Sequence, residues 1–161
     1  MIRTVALALL TAFPAAAGTL EGRLVTFTVE TWDDRAAPLL VARGRTVTVG
    51  QGVEFGLDRE GFTGGLDVVP VDVEIGPTRI ELSYPKGLGQ FYDAKFNGYV
   101  LRFVTECALF DKVTIDQSAT TMEVTEVWAE TGALYLNVSG LGYGPEAKLA
   151  LDLEVADCPL S

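Results

Sequence analysis

Beyond its first seventeen residues the chain is a succession of short stretches in which apolar and polar residues alternate. The strongest runs from Phe96 to Cys107, FNGYVLRFVTEC. Tyr99, Leu101, Phe103 and Cys107 share one parity, and Val100, Arg102, Val104 and Glu106 share the other. Alternate side chains of a strand leave on opposite faces, so this stretch predicts a central strand with one aromatic face in the core. Upstream, residues 22–32 set Val25, Phe27 and Val29 against threonines and Glu30, a half-buried strand. Residues 39–42 form a short edge strand. Residues 46–49 and 53–57 continue the alternation on either side of Gly50-Gln51-Gly52, a tight turn or bulge. Val69, Val71, Val73 and Ile75 then face inward, while Asp72 and Glu74 face out. Pro70 cannot donate to a ladder, so this strand lies at an edge or starts after it. Gly76-Pro77 turns the chain into a partner strand with Ile80, Leu82 and Tyr84 inward. After the central strand, residues 112–117 point Val113 and Ile115 inward. Residues 122–130 and 133–139 make a hairpin, and residues 148–155 close the fold on Leu149, Leu151, Leu153 and Val155.

About nine or ten short strands, separated by glycine and proline and without helical periodicity, predict an all-β fold: an antiparallel β-sandwich, jelly-roll or Ig-like. No repeat or linker divides it, so a single domain covers residues 18–161. The stretches PKGLGQFYDAK (85–95) and LGYGPE (141–146) break the pattern and read as loops.

The first seventeen residues, MIRTVALALLTAFPAAA, have a different character: a positive Arg3, an apolar run from Val5 to Phe13, a break at Pro14 and three small residues. That is the layout of a cleavable signal peptide, too short to span a membrane, with Gly18 as the first mature residue. Export predicts a periplasmic or extracellular protein, with no membrane insertion after cleavage. In an oxidising compartment the two cysteines, Cys107 and Cys158, are expected to form a disulfide. They lack the C-x-x-C spacing of a redox pair.

Charge narrows the partners. A net charge of −10 argues against nucleic acid. The chain has no histidine, which removes the commonest general base, the Ser-His and Cys-His nucleophile pairs and the commonest zinc ligand. Asp33-Asp34 and Asp58-Arg59-Glu60 are acidic enough to draw a cation, but neither matches the spaced loop of a calcium hand. No metal ligand, cofactor or catalytic residue is assigned. Asp72, Glu74, Glu81, Asp152 and Glu154 fall on outward strand positions and read as solvated.

A series of short motifs carries a resemblance: VGQGVEF (49–55), DVEIG (72–76), FNGYV (96–100), VTID (113–116) and LYLNVSGL (134–141). In this order they resemble uncharacterised secreted bacterial β-sandwich proteins that often carry a PEP-type C-terminal sorting anchor. The resemblance covers about residues 46–155 and implies a fold and an exported location, without catalytic residues. The sequence departs from that pattern in lacking the anchor and in having a cysteine pair, which leads to the expectation of a free periplasmic or released protein.

Two places could hold ligand chemistry. If Thr131-Gly132 is a two-residue turn, Trp128 opposes Tyr135 and Glu126 opposes Asn137 on the outer face. Such rings flanked by a carboxylate and an amide would suit a sugar platform; the alternative is an aromatic pair that stabilises the sheet. In the loop before the central strand, Phe91 and Tyr92, with Tyr84 and Phe96, would rim a groove or plug the end of the fold. The expected function is a non-enzymatic structural or interaction module with an envelope protein or glycan as partner. A carbohydrate-binding module and a hydrolase with paired carboxylates are the alternatives.

Overall fold

The computed structural model describes residues 18–42, 44–56, 69–103, 108–124 and 126–157. These residues form thirteen strands and no helix, and every pairing is antiparallel. One sheet runs in the order β10 (Glu126–Glu130), β11 (Ala133–Asn137), β8 (Phe96–Arg102), β1 (Leu24–Trp32). The far edge of β1 is shared by β2 (Leu40–Val41) and β3 (Arg45–Thr48). The second sheet orders β4 (Val53–Gly56), β5 (Asp72–Ile75), β6 (Arg79–Ser83), β13 (Lys148–Asp157) and β9 (Ala108–Ile115). A third pairing joins β7 (Gly89–Gln90) to β12 (Gly142–Tyr143). The leader 1–17, the glycine-rich connection 58–66, Cys107 and Cys158 lie outside the described residues.

The two large sheets share one apolar core. Val25 and Phe27 of β1, Leu101 of β8 and Leu134 and Leu136 of β11 cluster with Val73, Ile80, Leu82 and Leu151 of the second sheet. Phe27 stacks on Phe55 across the gap at 4.9 Å and on Tyr99 at 5.3 Å. Each such apolar side chain contributes about 1.5–3 kcal/mol by leaving water. Their alternation along each strand therefore fixes which face turns inward.

The central strand covers the first part of the predicted stretch, Phe96–Arg102, and residues 104–107 lie outside the described residues. β8 lies between β11 and β1, with Tyr99 and Leu101 in the shared core. β5 begins after Pro70, at Asp72, and is flanked by β4 and β6. The Gly50-Gln51-Gly52 interruption is the corner where the chain leaves the first sheet for the second, with Gly52 at φ 96°. Ten of the strands have four or more residues, and the two-residue β2, β7 and β12 make up the difference from the expected number. Two stretches read as loops thus contain the β7–β12 pairing. One expectation is corrected outright: the polar face of β1 is closed off from water at its centre. Thr28 and Glu30 are buried, because the outward side of β1 is covered by side chains from elsewhere in the chain.

Candidate functional site

The β10–β11 hairpin has the expected register, with Glu126 opposite Asn137, Val127 opposite Leu136 and Trp128 opposite Tyr135. Gly132 supplies the positive φ of the turn (69°). Trp128 and Tyr135 stack with ring centres 4.9 Å apart and planes within 2°. They do not form an open platform, however: Tyr135 is only 1% exposed. Its cover comes from the loop after β1. Asp34 accepts the backbone N–H of Ala36 at its side chain and that of Ala37 at its carbonyl. Asp33 Oδ1 accepts the N–H of Lys95. The two aspartates considered as cation ligands thus build a turn, and that turn carries Arg35 over the Tyr135 ring, 4.8 Å from its centre.

Arg35 grips Glu130 with both amino groups, at 2.8 and 3.2 Å, and donates to the Tyr135 hydroxyl, which itself donates to Glu130. The hydrogen bond from Arg35 holds the Glu130 carboxyl below its usual range, and burial pushes the Tyr135 phenol up. Asn137 has equally little left to offer. Its Nδ2 donates to Glu126 and to the carbonyl of Lys95, and its Oδ1 accepts from the N–H groups of Asn97 and Ser139. An amide has two donors and two acceptor sites, so all four are used. Beneath this layer Trp32 stacks on Phe96 at 4.9 Å. Phe96, Val100, Ala133 and Tyr135 are buried as a second, smaller cluster. Arg102 ties it to β1 by donating to Thr28 and to the buried Glu30 at 2.9 and 2.7 Å. The constellation acts as a roof over the first sheet, with most of its polar groups paired internally; the buried Trp32 indole N–H is the exception, without a partner.

The loop aromatics lead to an open site. A groove of about 540 Å³ lies at the edge where β2 and β8 meet the β7–β12 pairing. Phe91 and Tyr92 both line it but differ: Phe91 is buried, Tyr92 is 66% exposed. Leu39, 57% exposed, stands on the β2 side. Tyr99 and Tyr143 complete the aromatic lining, with Tyr143 5.0 Å from Phe91 between ring centres. Gly98 of β8 also lines the groove; a Cβ there would run into the carbonyl of Leu136, so only glycine lets β8 and β11 approach this closely. Three side-chain hydrogen bonds hold the local frame. Asn97 Nδ2 donates to the Tyr92 carbonyl, Thr31 donates to Asn97 Oδ1, and Gln90 Nε2 donates to the Gly140 carbonyl, all at 2.8–2.9 Å. Behind the groove, burial pushes the phenols of Tyr84 and Tyr99 well above the usual tyrosine range. Neither hydroxyl has a partner with hydrogen-bonding geometry.

The carboxylates gather elsewhere. A trough of about 440 Å³ on the outside of the second sheet is lined by Asp72, Glu74, Glu81 and Glu146, with Lys148. Among the described residues no three acids or cysteines stand close enough to hold a metal ion. Beside the trough, Arg79 binds Glu81, Asp116 and Asp152 at 2.6, 2.9 and 2.7 Å.

Of the six residues singled out as ligand contacts, the structure brings Trp128, Tyr135, Glu126 and Asn137 into one cluster, with Tyr135 buried, Trp128 half-buried and Glu126 exposed. It places Phe91 and Tyr92 at the groove. Sequence reasoning missed Leu39, Thr31, Tyr99 and Tyr143 as neighbours of that loop. The available signal was glycine beside an aromatic in two irregular stretches, Gly89 and Gly142-Tyr143, which pair with each other. Fold and site define an all-β protein of antiparallel sheets with an apolar groove at one end. No family model, curated protein or solved structure matches the chain.

Proposed function

We propose that the protein is an exported, non-enzymatic β-sandwich, jelly-roll or Ig-like, that acts as a binding module in the periplasm or outside the cell. Its working surface is the groove at Tyr92 and Leu39. The observation that carries this reading is an apolar concavity of about 540 Å³ with two large apolar side chains exposed beside it. Such clefts are the usual form of small-ligand sites. Export rests on the leader-like first seventeen residues and on the resemblance to secreted β-sandwich proteins. The proposed Cys107–Cys158 bond gains support from register. Ala108 and Asp157 are paired across β9 and β13, and the cysteines are the next residues outward in sequence on each side.

Native mass spectrometry of the protein purified from an exporting cell tests the reading. The expected result is a chain that begins at Gly18, is two hydrogens lighter than the reduced mass, and carries a bound mass that Tyr92→Asp and Leu39→Asp remove. A bound mass that survives both substitutions, or none at all, would overturn the groove as the working surface.

A further inference from the structure

Resting on that reading of the groove, we infer that it takes an uncharged, largely apolar small molecule rather than a sugar, an anion or a cation. The first argument is charge. The chain carries 12 basic and 22 acidic residues, yet no described residue lining the groove is charged. An ionic ligand would lose its hydration there without gaining a counter-charge, and an anion would also approach against the net charge of −10.

The second argument is hydrogen-bond inventory. Thr31, Gln90 and Asn97 are polar residues of the lining, and each spends a side-chain donor inside the protein, on Asn97, Gly140 and Tyr92 respectively. A pyranose presents hydroxyls all round its edge, and each one desolvated without a partner would count against binding. What the groove offers besides is mostly carbon, the rings of Phe91, Tyr92, Tyr99 and Tyr143 and the side chains of Val29 and Leu39, with the phenol hydroxyls as its other polar atoms and that of Tyr99 buried. Rings give large apolar contact and favour offset or edge-on partners, so a flat, uncharged hydrophobe fits the lining best.

The test compares three probes on the mature, oxidised protein: N-phenyl-1-naphthylamine (uncharged), 1-anilinonaphthalene-8-sulfonate (the same ring system with a sulfonate) and maltohexaose. Fluorescence gives the affinities of the dyes, and the side-chain amide NMR signals of Gln90 and Asn97 report the place. The expected result is one saturable site for the uncharged dye that shifts both amides, at least tenfold weaker binding of the sulfonate, and no effect of the sugar. Leu39→Lys should weaken the uncharged dye and strengthen the sulfonate, narrowing the preference severalfold. Equal or tighter binding of the sulfonate to the unmodified groove, or displacement of the dye by maltohexaose, would overturn the ligand class and leave the groove as a binding site. Amides that none of the three probes moves would overturn the class and the binding role together.

Discussion

The outer faces of the two large sheets were written in the same alternating pattern and have opposite fates. On the first sheet the central outward residues of β1 and β8 are buried: Thr28, Glu30, Phe96 and Val100 lie under Trp32, Trp128, Tyr135 and two arginines. On the second sheet Glu74 stands directly opposite Glu81, and Asp152, Glu154 and Lys112 remain exposed. Ion pairs occur on both, yet they differ in kind. Arg102 meets a carboxylate whose side chain is 8% exposed, whereas Lys112 and Glu154 meet at 3.5 Å with both side chains largely in water. Exposed pairs are worth about 0–1 kcal/mol, while a buried ring removed from a packed cluster costs about 3–5 kcal/mol. The difference teaches that an outward polar pattern says only which way a side chain points. Whether it meets water is decided by what another part of the chain lays over it.

The largest expected effect follows directly. Phe96→Ala should lower unfolding free energy by about 3–5 kcal/mol in urea titrations, with Glu81→Ala shifting it by less than about 1 kcal/mol. Similar losses for the two would erase the distinction between the faces. Next comes the closing edge of the second sheet. Reduction of the protein, or Cys107→Ser with Cys158→Ser, should cost about 2–4 kcal/mol if the cysteines are bonded, and an unchanged melting temperature would show that they are not. Smaller again is Glu30→Gln, expected to cost about 2 kcal/mol because Arg102 loses a charged hydrogen-bond partner whose side chain is buried. The matching Glu81→Gln on the open face should stay within about 0.5 kcal/mol.

Much of this was legible in the sequence where the controlling contacts are local. The β10–β11 register followed from alternation and a Thr-Gly turn, since a slip by one residue would carry Leu134 and Leu136 out of the core. The burial of Tyr135 was not legible, because its cover, Arg35, lies 100 residues away in sequence. No periodicity reports a loop folding back over a sheet. The groove was half legible for the same reason. Phe91 and Tyr92 announced themselves as loop aromatics, but their neighbour Tyr143 arrives through a two-residue pairing between stretches that carry no strand pattern. The buried face of β1 shows the converse limit: threonines and a glutamate read as solvated until a long-range partner such as Arg102 satisfies them.

The smallest effect separates the faces by acid. Asp116 accepts both the hydroxyl and the backbone N–H of Ser118, at 2.6 and 2.9 Å, and an amino group of Arg79 at 2.9 Å. The Ser118 hydroxyl, then Arg79, holds its pKa at about 2, below the ordinary 3.8. A depressed carboxylate stabilises the fold above its unfolded pKa, and that stabilisation is lost as pH falls through the folded value. Between about pH 4 and 2 the unfolded chain takes up this proton while the folded one resists it, so stability should fall as acid is added. Asp116→Asn keeps an acceptor for Ser118 but cannot titrate, and its stability should therefore vary less steeply with pH in that window. Glu130 on the roofed face is held down by Arg35 in the same sense, so Glu130→Gln should flatten the profile as well. Added salt then distinguishes the two: Arg35 and Glu130, 49% and 44% exposed, should lose their contribution to screening first, while Arg79 and Asp116, 32% and 21% exposed, keep more of theirs. Equal salt sensitivity of the two variants would mean that this difference in exposure does not set how far each pair is screened.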